Sequence, residues 1–246
     1  MNSRGLAVGD TRETYRPTRP ALALTIAEAA AFAQRGHVSS SALKELAATA
    51  PRGDSHAVLV LPPIFRDDTT MDAMRRFLAL LGYRPHGWEL GANLGPTRAL
   101  TEGAAARLAE IAARHGKVSV VGVSMGGLFA RWLALRAPEC VRQVITAGSP
   151  FRASPDSAFL PLGKLIEVWQ GPDIHAMAVE IERTPTVPTT SIYSRQDGIV
   201  AWASCYDPAH PDDAIEVTCP HVLMPQHPDV LRAVAERLAR PGATPT

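Results

Sequence analysis

A serine hydroxyl is a weak nucleophile at neutral pH and becomes a useful one only beside a histidine base that an acid holds in place. Ser124, His221 and Asp197 have the types and chain order for that chemistry. Ser124 lies in Gly122-Val-Ser-Met-Gly126, followed by Gly127, between the apolar run Val118-Ser-Val-Val-Gly122 and an apolar helical stretch. A G-x-S-x-G turn from strand to helix lifts the hydroxyl above a sheet and aims the helix amino terminus at a developing oxyanion. The competing reading, a glycine-rich phosphate loop, requires a Lys-Ser or Lys-Thr pair after the glycines. Phe129-Ala-Arg131 follows instead.

On such a sheet the acid and then the base come after the nucleophile, on loops at the carboxyl ends of later strands. Asp197 stands just past the strand-like run Thr189 to Ser194, in a turn ending at Gly198, and is the first choice of acid. An aspartate there also suits a turn that stabilises itself through backbone hydrogen bonds. Asp156 is the second choice. Of the histidines beyond Asp197, His221 directly follows the run Ala214 to Thr218, His227 precedes Pro228 and reads as a helix cap, and His210 reads as surface loop. The oxyanion needs two backbone donors, one from Met125 and one from the loop after Val58-Leu-Val-Leu-Pro62. Pro63 cannot donate, which leaves Ile64, with Phe65 as the alternative.

The elements that would position these residues follow from pattern. Near-continuous apolar runs such as Ala57 to Leu61 suit strands buried on both faces of a parallel sheet. They alternate with helical stretches: helix Thr70 to Leu81, strand Tyr83 to Trp88, helix Pro96 to His115, strand Lys117 to Gly122, helix Met125 to Leu135 and strand Val141 to Ala147. Strands Thr189 to Ser194 and Ala214 to Thr218 and helix Asp229 to Leu238 complete an α/β architecture with a mostly parallel sheet and helices on both faces. Residues 1–20 read as a mobile tail, and 21–240 as one domain with an N-terminal helical segment and a small lid at about 151–187. The helix Ala21 to Gln34 is apolar enough to suggest an export signal. Glu28 within it and the long leader with Asp10 and Glu13 point instead to a surface or capping helix.

Composition narrows the partners. At 246 residues, 46% hydrophobic and 20% charged, the chain is that of a compact globular protein with no transmembrane segment. A net charge of +1, evenly scattered, offers nothing to nucleic acid. Three cysteines, Cys140, Cys205 and Cys219, lack metal spacing and favour the cytoplasm, with a Cys205–Cys219 bridge as the one open pairing.

Several phrases together resemble a group of bacterial α/β-hydrolases that act as esterases or lipase-like proteins. They are Val58 to Pro62, His86-Gly-Trp88 with Gly91, Asn93 and Gly95, Val121 to Gly127, Val144 to Phe151, and Ser191 to Trp202. The segment Thr189 to Asp197 is also similar to the acid-bearing segment of triacylglycerol lipases. The resemblance implies the α/β-hydrolase fold with a lid, and a triad of Ser124, Asp197 and His221. Two departures flank the site: Pro63 stands where the family has glycine, and Cys219-Pro220 and Val222-Leu223 replace the usual neighbours of the histidine. Asp68 resembles an acidic position of the family and reads as a helix N-cap, while Trp88 and Asn93 read as shaping the loop and pocket wall.

The expected chemistry is cleavage of a small-molecule carboxylic ester through an acyl-enzyme, with no cofactor and no metal. A thioesterase or an acyltransferase or cyclase would use the same residues, and a catalytically silent binding protein would keep the fold alone. Phe159, Leu160, Leu162, Leu165, Ile166, Val168 and Trp169, near the lid, fit an apolar acyl group, although helical spacing of this kind also serves packing.

Overall fold

In the strand β1 (Ala57–Leu61) every residue is buried, and alternate side chains enter opposite halves of the core. The same holds along β3 (Val118–Val123), so these strands have no solvent face and need helices on both sides. The computed structural model describes residues 19–33, 36, 38–152, 177, 179–207 and 210–240. The expected tail up to residue 18, most of the expected lid, Asp156 and the apolar residues from Phe159 to Trp169 lie outside them.

With β2 (Arg84–Gly87), β4 (Val141–Ala147), β5 (Thr189–Ser194) and β6 (Ala214–Val217), the strands form one sheet in the order β2-β1-β3-β4-β5-β6. Every pairing is parallel. One face carries α2 (Ser40–Thr49), α3 (Asp72–Leu81) and α6 (Pro228–Leu238), through Leu43, Met74, Phe77, Leu78, Leu231 and Val234 packed on Val58, Val60, Val121 and Ile192. The other carries α4 (Arg98–His115) and α5 (Met125–Arg136), through Leu108, Ile111, Phe129 and Leu133 on Leu59, Leu61, Val120 and Val144. Helix α1 (Leu22–Ala33) precedes them all in sequence.

The expected elements match within a few residues, and the differences have local causes. The helix expected from Thr70 begins as a 3-10 turn, Asp68–Met71, capped by the Asp67 carboxylate, and becomes α-helical only at Asp72. Asp67, not Asp68, is therefore the cap. His227 does cap α6, its Nδ1 accepting from Asp229 N–H, with Pro228 in the first turn where its missing donor costs nothing. His210 lies on the surface beside Asp207. Cys140, Cys205 and Cys219 are free thiols, so the open pairing of Cys205 with Cys219 is not made.

The chain leaves β1 for β2 on one side, and crosses back to β3 on the other. In an open parallel sheet the crevice beyond the carboxyl ends at such a reversal is where ligands bind. The loop after β1 and the turn after β3 meet there.

Candidate active site

At the end of β3, Ser124 adopts φ 54° and ψ −122°, a left-handed backbone that a residue with a side chain takes only under constraint. The constraint is visible. Ser124 N–H donates to Ala147 O at the end of β4 (2.8 Å), and its own carbonyl accepts from Gly127 N–H. A Cβ on Gly126 would meet Leu61 O, and Pro62 O at 2.7 Å, so only glycine lets α5 start this close to β1. The sequence motif and the strained turn therefore fall on the same residue, where β3 ends and α5 begins.

Asp197 sits past β5, as expected, and is buried. One oxygen, Oδ1, accepts from Ile199 N–H (2.9 Å) and Val200 N–H (2.7 Å), and Oδ2 accepts from His221 Nδ1–H at 2.6 Å. The turn-stabilising role and the histidine-orienting role are thus shared between the two oxygens of one carboxylate. His221 lies in a 3-10 turn beyond β6, its ring beside Gly148: a Cβ there would stand 3.1 Å from Nδ1. Gly148 follows Ala147, the residue that anchors Ser124. Burial alone would lower the His221 pKa, but the charge and hydrogen bond of Asp197 and the charge of Glu28 outweigh it and raise it above the ordinary imidazole value. Among the described residues no hydrogen bond joins Ser124 to His221.

The loop after β1 is held from behind by Asn93, which is fully buried. Its Nδ2 donates to Pro62 O (2.7 Å), its N–H to Arg66 O (2.8 Å), and its carbonyl accepts from Phe65 N–H (2.7 Å). Phe65 N–H is therefore engaged, which removes the alternative oxyanion donor. Among the described residues Ile64 N–H has no partner, and Met125, as the first residue of α5, has an N–H without an intrahelical acceptor. Asp68 supports this loop at one remove: its carboxylate accepts from Trp88 N–H (3.0 Å) and Glu89 N–H (2.9 Å), fixing the start of the segment that carries Asn93. The helix-cap expectation for Asp68 missed this, because the two donors lie just past the next strand.

A second Ser-His-Asp set exists at the opposite end of the sheet. Ser119 Oγ lies 2.8 Å from His56 Nε2, and His56 Nδ1 bonds Asp54, which also pairs with Arg142 at 2.9 Å. Ser119 is fully buried in the middle of the ladder, between β1 and β4. Burial pushes the His56 pKa down and the Arg142 charge adds to that, against the hydrogen bond of Asp54. The two histidines are thus tuned in opposite directions, and only Ser124 of the two serines lies on a strained turn.

No family model and no curated protein matches the chain. Solved structures do. A carboxylesterase cloned from a metagenomic library, EstE1, is 15% identical, with 80% of this chain and 83% of that one covered and a TM-score of 0.57. The chain has the α/β-hydrolase fold. A pyrethroid hydrolase, PytH, is 17% identical over 77% of this chain and 100% of that one, with a TM-score of 0.53. One of the metagenome-derived lipolytic enzymes LipS and LipT is 19% identical over 76% and 93%, with a TM-score of 0.52. At these identities the likeness concerns the α/β-hydrolase fold alone, not the reaction. Among the described residues no helix is long and apolar enough to cross a membrane, and no cluster of three His, Cys, Asp or Glu could hold a metal.

Sequence reasoning missed Glu28. In the sequence it reads as an interruption in a surface or capping helix, but its side chain is buried and its carboxylate accepts from Gly198 N–H (2.9 Å), His221 N–H (2.6 Å) and Val222 N–H (3.0 Å). The one available signal was that Glu28 is the sole charged residue of an otherwise apolar helix.

Proposed function

We propose that the chain is a serine hydrolase that cleaves carboxylic esters through an acyl-enzyme on Ser124. The observation that carries the reading is the buried 2.6 Å pair of Asp197 and His221 at the sheet edge where Ser124 holds its left-handed turn. His221 Nε2 takes the hydroxyl proton as Oγ attacks the ester carbonyl carbon. The carbonyl oxygen becomes the oxyanion and accepts from Ile64 and Met125 N–H, donors aimed where charge develops. Collapse breaks the carbon–oxygen bond to the alcohol, which leaves with the proton from His221. A water then repeats the sequence on the acyl-enzyme, releasing the acid and the free serine. Asp197 holds Nδ1 protonated so that Nε2 is the basic nitrogen, and stabilises the imidazolium without taking its proton.

The test is turnover of a p-nitrophenyl ester series of increasing acyl length by the wild type and by Ser124→Ala and His221→Ala. The proposal expects hydrolysis by the wild type and loss of at least about 10³-fold in each variant with the fold intact. Turnover that survives Ser124→Ala would assign the activity elsewhere.

A further inference from the structure

Helix α1 presents its polarity inside out. Leu22, Ile26 and Phe32 are exposed, while Glu28, its one charged residue, is only 4% exposed. Burying a carboxylate is unfavourable unless hydrogen bonds replace its water, and Glu28 finds all its replacements in two loops from the far end of the chain. Oε1 accepts from Gly198 N–H and His221 N–H, and Oε2 accepts from Val222 N–H. Gly198 follows Asp197. One carboxylate thus ties the loop that carries the acid to the turn that carries the base. Thr25 on the same helix donates its hydroxyl to Gly198 O at 2.8 Å. A Cβ on Gly198 would strike Leu24 O, so the acid loop is built to receive α1 at backbone distance.

We infer that Glu28 is a positioning residue of the site, which locks the Asp197 loop and the His221 turn into one unit and sets a second negative charge behind the imidazole. The inference rests on the proposed triad for its catalytic meaning. Without Glu28, two buried N–H groups and the half-buried one of Val222 lose their acceptor, and the hydrogen bonds left between the two loops among the described residues are the Asp197–His221 contact and the Ser194 hydroxyl, which accepts from both Gln196 and Cys219 N–H. The charged groups acting on His221 are Asp197, from the loop after β5, and Glu28, from α1. The nearby thiols of Cys205 and Cys219 are pushed up by burial and stay neutral.

The experiment compares the wild type with Glu28→Gln and Glu28→Asp. The readouts are the His221 ring titration by NMR, kcat and KM on p-nitrophenyl butyrate against pH, and fluorophosphonate labelling of Ser124. Glu28→Gln removes the charge while keeping the size, so the His221 titration and the acidic limb of kcat/KM both move to lower pH. Its kcat falls roughly 10- to 100-fold through misplacement of the base, with KM nearly unchanged. Glu28→Asp keeps the charge but shortens the reach, so kcat falls while the titration stays closer to the wild type. A folded Glu28→Gln protein with unaltered titration and unaltered kcat would overturn the inference. If neither variant folds, amide exchange in the wild type decides: protected Gly198, His221 and Val222 N–H groups support it, and rapid exchange at all three overturns it. If the wild type is not labelled at Ser124 the hydrolase reading fails, and the His221 titration still judges Glu28.

Discussion

The central residue-scale feature is a carboxylate used twice. Asp197 gives Oδ1 to the backbone of its own turn and Oδ2 to His221. Asp197→Asn keeps an oxygen for Ile199 and Val200, but turns an amide donor toward His221 Nδ1 and so favours the wrong tautomer. Its kcat is expected to fall by about 10⁴-fold with little change in melting temperature, measured by ester turnover and thermal unfolding. The pH profile is also fixed at this scale. Because the His221 pKa is raised and only the neutral ring is a base, kcat/KM rises with pH through a midpoint above 6.5. A midpoint below that value would mean that burial, which lowers the pKa, outweighs the two carboxylates. Ser119 is the contrasting case, with the same three residue types and no access for a substrate. Ser119→Ala should leave ester turnover unchanged and lower stability by about 1 kcal/mol, the net worth of one buried hydrogen bond. Residue type and chain order made the proposed triad of Ser124, Asp197 and His221 readable in the sequence, because the motif is local and the later loops follow their strands in order. They could not reveal Glu28, whose three partners are distant in the chain and are backbone groups that carry no residue signature.

Between elements, the loops of the site are held by side chains from their neighbours. Asn93 holds the loop after β1, Asp68 holds the segment bearing Asn93, and Ser194 joins the ends of β5 and β6. Asn93→Ala orphans Pro62 O in a buried position, and a loss of about 1–3 kcal/mol is expected in chemical denaturation. The freed loop should also lower kcat more than it raises KM, since Ile64 N–H would be asked to meet a charge that exists only in the transition state. The strands and helices were legible from apolar runs and their spacing, down to the full extents of β4 and β5. Asp68 was misjudged for the reason that makes element ends hard to read: Asp67 and Asp68 are equally good caps in sequence, and only the approach of Trp88 and Glu89 N–H decides between them.

Over the whole molecule, the parallel sheet gathers four segments from distant parts of the chain at one edge: the loop after β1, the turn after β3, and the loops after β5 and β6. Helix α1 reaches the same edge from the beginning of the described chain and closes on the last two. The order of strands around the reversal at β1 explains why the serine turn and the loop bearing Ile64 are neighbours; alternation of strand and helix along the chain implied the parallel sheet but not this order. The choice of substrate was not legible in the same way, since a shared fold serves many reactions and acyl preference depends on the shape of the surrounding wall. The most direct measurement is fluorophosphonate labelling of the folded wild-type protein with the modified residue located by mass spectrometry, alongside Ser124→Ala, His221→Ala and Ser119→Ala. The account predicts one adduct, on Ser124, that is lost in the first two variants and retained in the third. A folded wild type that takes no label, or takes it on a residue other than Ser124, would contradict it.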